Sequence, residues 1–175
     1  MMTDPLIRAW YVLHTRSRFE SVVNEALGKK EKEVFLPKIL VQSRRRDRKA
    51  MIRVPLFPGY VFVKTDLKPD EHLDILKTVG AVRLIGNKAG PISVPDATIE
   101  SLKIMVTADR PVTTGQKYRK GDHVVVVHGP FAGVTGIFVR YKGNDRVVVN
   151  IDALGQSAGV EVDEGDVEIV QGFST

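Results

Sequence analysis

Three aromatic residues, Phe57, Tyr60 and Phe62, fall in the apolar run from Leu56 to Val63, on either side of a Pro58-Gly59 break. The cationic run Arg44-Arg45-Arg46-Asp47-Arg48-Lys49 lies shortly before them. These types do the chemistry of recognition. Buried aromatic anchors dominate the energy of protein interfaces. Guanidinium groups pair with phosphate oxygens without reading sequence unless they reach base edges. The pattern therefore places a hydrophobic docking surface beside a cationic arm.

Catalytic patterns are missing by comparison. Gly80…Gly86-Asn87-Lys88…Gly90 does not have the spacing of a phosphate-binding loop, and neither Ser157 nor Ser174 sits in a Gly-x-Ser-x-Gly turn. The chain has no cysteine, which rules out a disulfide framework, a thiolate metal site and a thiol nucleophile. Its four histidines, His14, His72, His123 and His128, are scattered, and no spacing of Asp and Glu marks an acid–base pair. No enzyme activity, metal or cofactor is expected.

The 175 residues are 43% hydrophobic, enough for one domain or two small ones. The net charge of +5 hides a division: residues 1–107 carry 19 Lys and Arg against 12 Asp and Glu, whereas 121–175 carry 3 against 8. A basic front half suits an anionic partner, while the acidic tail suits a different one or the front itself. Met1 to Pro5 has no basic region followed by an apolar stretch, and no apolar run approaches the roughly 20 residues of a membrane helix. A soluble, cytoplasmic protein that does not engage membranes is expected.

The elements that would position these residues follow from periodicity. Trp10 to His14 reads as a strand. Phe19, Val22, Val23, Ala26 and Leu27 then fall on one face of a helix, with Ser17 and Glu20 spaced as a capping box and Gly28 as its stop. Val34 to Val41 and Met51 to Val54 read as a hairpin whose tip is the basic run. Pro69-Asp70-Glu71 opens a short helix with Leu73, Ile75 and Leu76, and Val82 to Ile85 is a further strand. A third helix starts near Ser93 to Asp96 and buries Ile99, Leu102 and Val106. Residues 1–107 thus read as an α+β domain with an antiparallel sheet, and the aperiodic stretch 108–120 reads as a flexible linker. From 121 to 175 the helical signal disappears. Five short β runs, 123–128, 134–141, 146–151, 158–162 and 167–170, predict a small all-β barrel.

Along the aromatic strand, alternation sends Tyr60 and Phe62 to one face and Val61 and Val63 to the other. Two readings compete for the first pair: core beneath a helix, or a docking patch on a face left bare. Apolar residues on both faces favour the second, because a sheet covered on one side would carry a polar face.

Trp10-Tyr11-Val12, the Phe57-Pro58-Gly59-Tyr60-Val61-Phe62 strand and the tail segment Gly121-Asp122-His123-Val124…Gly129-Pro130-Phe131-Ala132-Gly133…Gly136 together resemble the NusG family of transcription elongation factors. In that family an N-terminal α+β domain precedes a β-barrel with a KOW motif. Leu56-Phe57-Pro58 behind a basic hairpin, and the tail from Asn150 to Val162, are similar to the specialised RfaH-like and capsule-locus paralogues. A KOW motif also occurs in ribosomal proteins, so a ribosome-associated or RNA-binding KOW protein is the competing class, and the Trp10 to Phe62 pattern argues against it.

The resemblance implies a monomeric factor that spans the cleft of RNA polymerase, promotes processive elongation, and acts in antitermination and pause suppression. It places Phe57, Tyr60 and Phe62 on the clamp helices of the polymerase's largest subunit. It matches His72 loosely to a second polymerase contact, and a surface histidine on an amphipathic helix is the simpler account of that residue. Arg44, Arg45, Arg46, Arg48 and Lys49, with Arg16 and Arg18, are expected to face upstream or non-template DNA, the alternative for the run being a solvated hairpin tip. The family also implies a barrel face, here Phe131, Val134 and Leu154, that binds a small-subunit ribosomal protein or Rho, although Phe131 equally suits a core position. RfaH-like proteins can store this tail as a helical hairpin. The β-branched runs Val124 to Val127 and Val147 to Val149 predict strands instead.

Overall fold

The computed structural model describes residues 7–45, 50–141 and 143–170. It divides into two compact units, Met1–Val94 and Pro95–Thr175. The first is α+β. The apolar run after Arg8 forms strand β1 (Ala9–Thr15), and the residues at helical spacing form α1 (Glu20–Lys29). Next come β2 (Glu33–Phe35), β3 (Lys38–Gln42), β4 (Met51–Pro55), β5 (Tyr60–Thr65), α2 (Pro69–Leu76) and β6 (Ala81–Leu84). Three two-residue strands complete the unit: β7 (Gly86–Asn87), β8 (Gly90–Pro91) and β9 (Ser93–Val94). The main sheet is antiparallel in the order β2-β5-β1-β6, and β9 also pairs with β1. β3 and β4 make a separate two-stranded ribbon.

Register decides what each strand buries. Leu13 lies opposite Val61 and Tyr11 opposite Val63, and this face packs with Val23, Leu27, Ile75 and Leu84 into the core of the unit. Val22, expected on the buried face of α1, is 47% exposed.

The expected capping box does not form. Arg18 takes a left-handed conformation (φ 67°), which no first helical residue can have, so α1 starts at Glu20 and has no side-chain cap. The Glu20 carboxylate is used elsewhere: its Oε1 accepts the backbone N–H of Gly59 at 2.8 Å. Nor does Gly28 stop the helix, which runs on to Lys29, and the left-handed residue beyond it is Glu31 (φ 61°). Where α1 meets the β6 turn, Gly80 (φ +92°) leaves only 2.6 Å between a would-be Cβ and the Phe19 ring.

The second unit contains α3 (Asp96–Thr107) and strands β10 (Thr113–Gln116), β11 (Asp122–Val126), β12 (Thr135–Tyr141), β13 (Asn144–Ile151), β14 (Gln156–Glu161) and β15 (Val167–Ile169). The strands form one antiparallel sheet in the order β10-β14-β13-β12-β11-β15, so the tail is all-β as its valine runs predict. Two features depart from expectation. The stretch expected to be a linker contains β10, whose Thr113 to Gln116 pair with Gly159 to Gln156. And α3, expected in the first domain, groups with the second unit, where it packs on β12 and β13. The Ser101 hydroxyl accepts the Thr135 N–H at 3.0 Å, and Ile104 lies against Gly133. This explains why Val147, Val148 and Val149 are all buried: β13 has a covered surface on both sides. Gly136 is required by the next strand, since a Cβ there would run into the Val148 carbonyl oxygen.

Two outcomes are expected. Glu20→Ala strands the Gly59 N–H and destabilises the first unit by about 1–3 kcal/mol, with Glu20→Gln milder because an amide oxygen still accepts. Denaturant unfolding followed by the fluorescence of the single tryptophan, Trp10, measures this. Ser101→Ala speeds hydrogen exchange at the Thr135 amide about fivefold, the factor matching the ~1 kcal/mol of one net hydrogen bond.

Candidate functional site

The face of the main sheet turned away from α1 and α2 carries the aromatic residues. Pairing places His14 opposite Tyr60, Val12 opposite Phe62 and Trp10 opposite Lys64. The His14 and Tyr60 rings lie 5.4 Å apart. Phe62 has Phe35 at 6.0 Å in a stacked pose and Phe57 at 6.4 Å edge-on. Arg83 of β6, an exposed residue, lies opposite His14 in the pairing of β1 with β6. The alternation expected for this strand is thus realised, with Val61 and Val63 in the core beneath the helices.

The expectation of a bare face is not. Phe62 is fully buried and Phe57 is 1% exposed, together with Val12 and Trp10. Tyr60 and His14 are half-buried. No sequence signal marks His14 and Arg83 as neighbours of Tyr60, because strand pairing is a non-local fact.

The Pro58-Gly59 break that delivers Tyr60 is held from two directions. Glu20 accepts the Gly59 N–H, and the Gly59 carbonyl accepts the Thr15 N–H at 2.8 Å. Gly59 sits at φ +90°, and a Cβ there would meet nothing nearer than His14 Cδ2 at 3.9 Å. Conformation rather than space makes this position glycine.

The basic residues belong to two places in the fold. Arg16 and Arg18 are exposed on the turn between β1 and α1. Arg44 and Arg45 are exposed at the end of the β3–β4 ribbon, where Ser43 N–H donates to the Ala50 carbonyl at 2.8 Å. Arg46, Arg48 and Lys49 lie outside the described residues. The ribbon also exposes Leu40, Met51 and Ile52.

His72 is half-buried on α2, a helix tied down by its acids. Glu71 pairs with Arg8 at 3.5 Å and Lys32 at 3.7 Å, and Asp74 pairs with Lys30 at 3.0 Å and Lys32 at 3.2 Å. Hydrogen bonds from Lys30 and then Lys32 hold the Asp74 carboxyl below the usual carboxylate range.

In the second unit Phe131 is 5% exposed and Val134 fully buried, so both are core residues and not part of an open barrel face. The loop folds them inward: the Gly133 N–H donates to the Val126 carbonyl at 2.8 Å and the Val134 N–H to the Phe131 carbonyl at 3.0 Å. Leu154, in the short 3-10 turn Asp152–Leu154, is half-buried. Among the described residues no group of three or more His, Asp or Glu side chains could hold a metal, and no helix is long and apolar enough to cross a membrane.

Comparison with known proteins bears on this arrangement. Residues 8–103 match the family model described as "Transcription termination factor nusG". The transcription termination/antitermination protein NusG of Thermus thermophilus is 30% identical over 90% of this chain and 96% of the relative. That of Pseudomonas aeruginosa is 27% identical over 94% of this chain and the whole relative. A solved structure of Thermotoga maritima NusG, described by its domain interaction, shares the fold with a TM-score of 0.51 at 20% identity, over 96% of this chain and all of that one. With its α+β unit and all-β tail, the chain belongs to the NusG family of transcription termination/antitermination factors.

Proposed function

We propose that this protein is a cytoplasmic elongation factor that binds RNA polymerase across its cleft, favours processive elongation, and suppresses pausing or termination. The observation that supports this most is the Tyr60 face, where a half-exposed tyrosine with His14 and Arg83 beside it is held by the Glu20–Gly59 hydrogen bond, inside the segment that matches the NusG family model. Phe57, Tyr60 and Phe62 are the residues proposed to meet the clamp helices of the largest subunit. Because Phe57 and Phe62 are buried, Tyr60 makes the first contact and the phenylalanines follow only when the face is uncovered. His72 is the proposed second contact. The effect on polymerase is a shift between open and closed states, limited by the difference in affinity for the two.

Arg16, Arg18, Arg44 and Arg45, with Arg46, Arg48 and Lys49, are proposed to neutralise phosphates of upstream or non-template DNA. The exposure of the first four on two turns supports contacts at two points of the backbone. The barrel is proposed to recruit a second protein, a small-subunit ribosomal protein or Rho, with Leu154 reachable and Phe131 and Val134 beneath. A narrower, RfaH-like role rests on Leu56-Phe57-Pro58 and the Asn150 to Val162 tail, and it requires that the effect depend on a particular DNA element.

Reconstituted transcription across a pause and a terminator tests the central reading. The wild-type protein shortens the pause, and Tyr60→Ala needs about 30-fold more protein for the same effect, the ratio for an anchor worth about 2 kcal/mol. Equal potency of the two would overturn the Tyr60 assignment. Replacing Arg44, Arg45, Arg46, Arg48 and Lys49 by Gln flattens the salt dependence of complex formation by about 0.9 log units per log unit of salt for each phosphate that these side chains neutralise. An unchanged slope counts against DNA binding by the run.

A further inference from the structure

The acidity of the tail has a location. Residues 121–175 hold eight Asp and Glu, and five of them, Asp145, Glu161, Asp163, Glu164 and Asp166, line one cleft of about 500 Å³ in the second unit. Val126, Pro130, Phe131 and Val162 add apolar residues to the lining, and His128 stands among them. Part of the charge is neutralised within the chain. Arg140 reaches Asp145 at 3.2 Å and Glu164 at 2.9 Å, and Arg146 lies 3.9 Å from Glu161. Among the described residues, Asp163 and Asp166 pair with no cation, and Arg110 is the one guanidinium on the cleft wall.

The cleft therefore combines apolar lining residues with excess carboxylate, at a volume in the range of ligand sites. A hydrated metal ion has no use for the apolar residues of this lining, and no group of three or more ligating side chains is present among the described residues. An arginine or lysine side chain fits both parts: its methylene stem packs on apolar surface while its head reaches the carboxylates, and a guanidinium does so through paired hydrogen bonds. We propose that this cleft is the docking site for a basic, arginine-bearing loop of a protein partner. The proposal rests on the reading of the barrel as a protein-recruiting module and specifies the chemistry of its partner.

The probe is a short acetylated peptide, Gly-Arg-Leu-Arg-Gly, titrated into the full-length isotope-labelled protein, with Gly-Glu-Leu-Glu-Gly as control. The expected result is saturable movement of the amide signals of Val126 to Phe131 and Asp163 to Asp166, with a dissociation constant below about 1 mM, by the basic peptide alone. Asp163→Asn with Asp166→Asn weakens it about two- to fivefold for each carboxylate removed, the range for exposed ion pairs, and the remaining spectrum checks that the variant is folded. No saturable movement, equal movement with the acidic peptide, or undiminished binding by the double variant overturns the proposal. Leu154→Ser keeps the two readings apart, since Leu154 does not line the cleft. Loss of co-sedimentation with 30S subunits or Rho in that variant speaks for the barrel as a docking module, whereas the cleft stands or falls on the peptide.

Discussion

The antiparallel pairing of β1 with β5 is the constraint on which the first unit depends. Because side chains alternate, the pairing of Leu13 with Val61 and Val12 with Phe62 sorts two apolar strands into two surfaces at once. One becomes the core beneath α1 and α2. The other gathers Trp10, Phe35, Phe57, Phe62, His14 and Tyr60. A slip of one residue would exchange the surfaces and put Tyr60 and His14 under the helices. The entry into β5 therefore needs fixing, and Glu20 does this by binding Gly59 across 39 residues of sequence.

A second strand with the same property organises the tail. β13 buries Val147, Val148 and Val149 in succession, which a strand covered on one side does not do. The tail's own β core takes one side, and α3, packed on β12 and β13, takes the other. Gly136 and Gly133 make this possible by keeping backbone and helix close, and Ser101 satisfies the Thr135 N–H where the helix interrupts access to water. Apolar residues on both faces of a strand thus have two outcomes in one chain: an aromatic surface in the first unit and a helix seat in the second.

Much of this is legible in the sequence. The period of Phe19, Val23 and Leu27 identifies α1, the proline and acids at 69–71 identify α2, and the β runs of the tail identify five of its six described strands. What stays hidden depends on partners distant in the chain. Thr113 to Gln116 has no apolar pattern and all four residues are exposed, so only its backbone pairing with β14 makes it a strand. The Ser17–Glu20 spacing suits a cap, but the left-handed Arg18 moves the helix start. Of the candidate contact residues, Tyr60, His72 and Leu154 lie where a contact residue should be, half-exposed. Phe57, Phe62, Phe131 and Val134 stand out by residue type alone, and the same hydrophobicity that suits an anchor also suits a core.

That overlap sets a thermodynamic condition on binding. Residues buried in the free protein contribute to an interface only in conformations that expose them, and the observed affinity is reduced by the fraction of molecules in such conformations. An anchor of about 2 kcal/mol on each phenylalanine is offset, wholly or in part, by the apolar surface that must first be uncovered. Tyr60 is exempt from most of this cost because its half-exposed position requires little rearrangement, and the same holds for Leu154 in the barrel. The exposed arginines carry no such cost at all, and in the proposed DNA contact long-range attraction to phosphate would act before any buried group is released. In the proposed complexes the physical order would then follow from burial: charge would bring the chain to its target, half-exposed residues would make the first specific contact, and the buried aromatic residues would determine how strongly the open form is held.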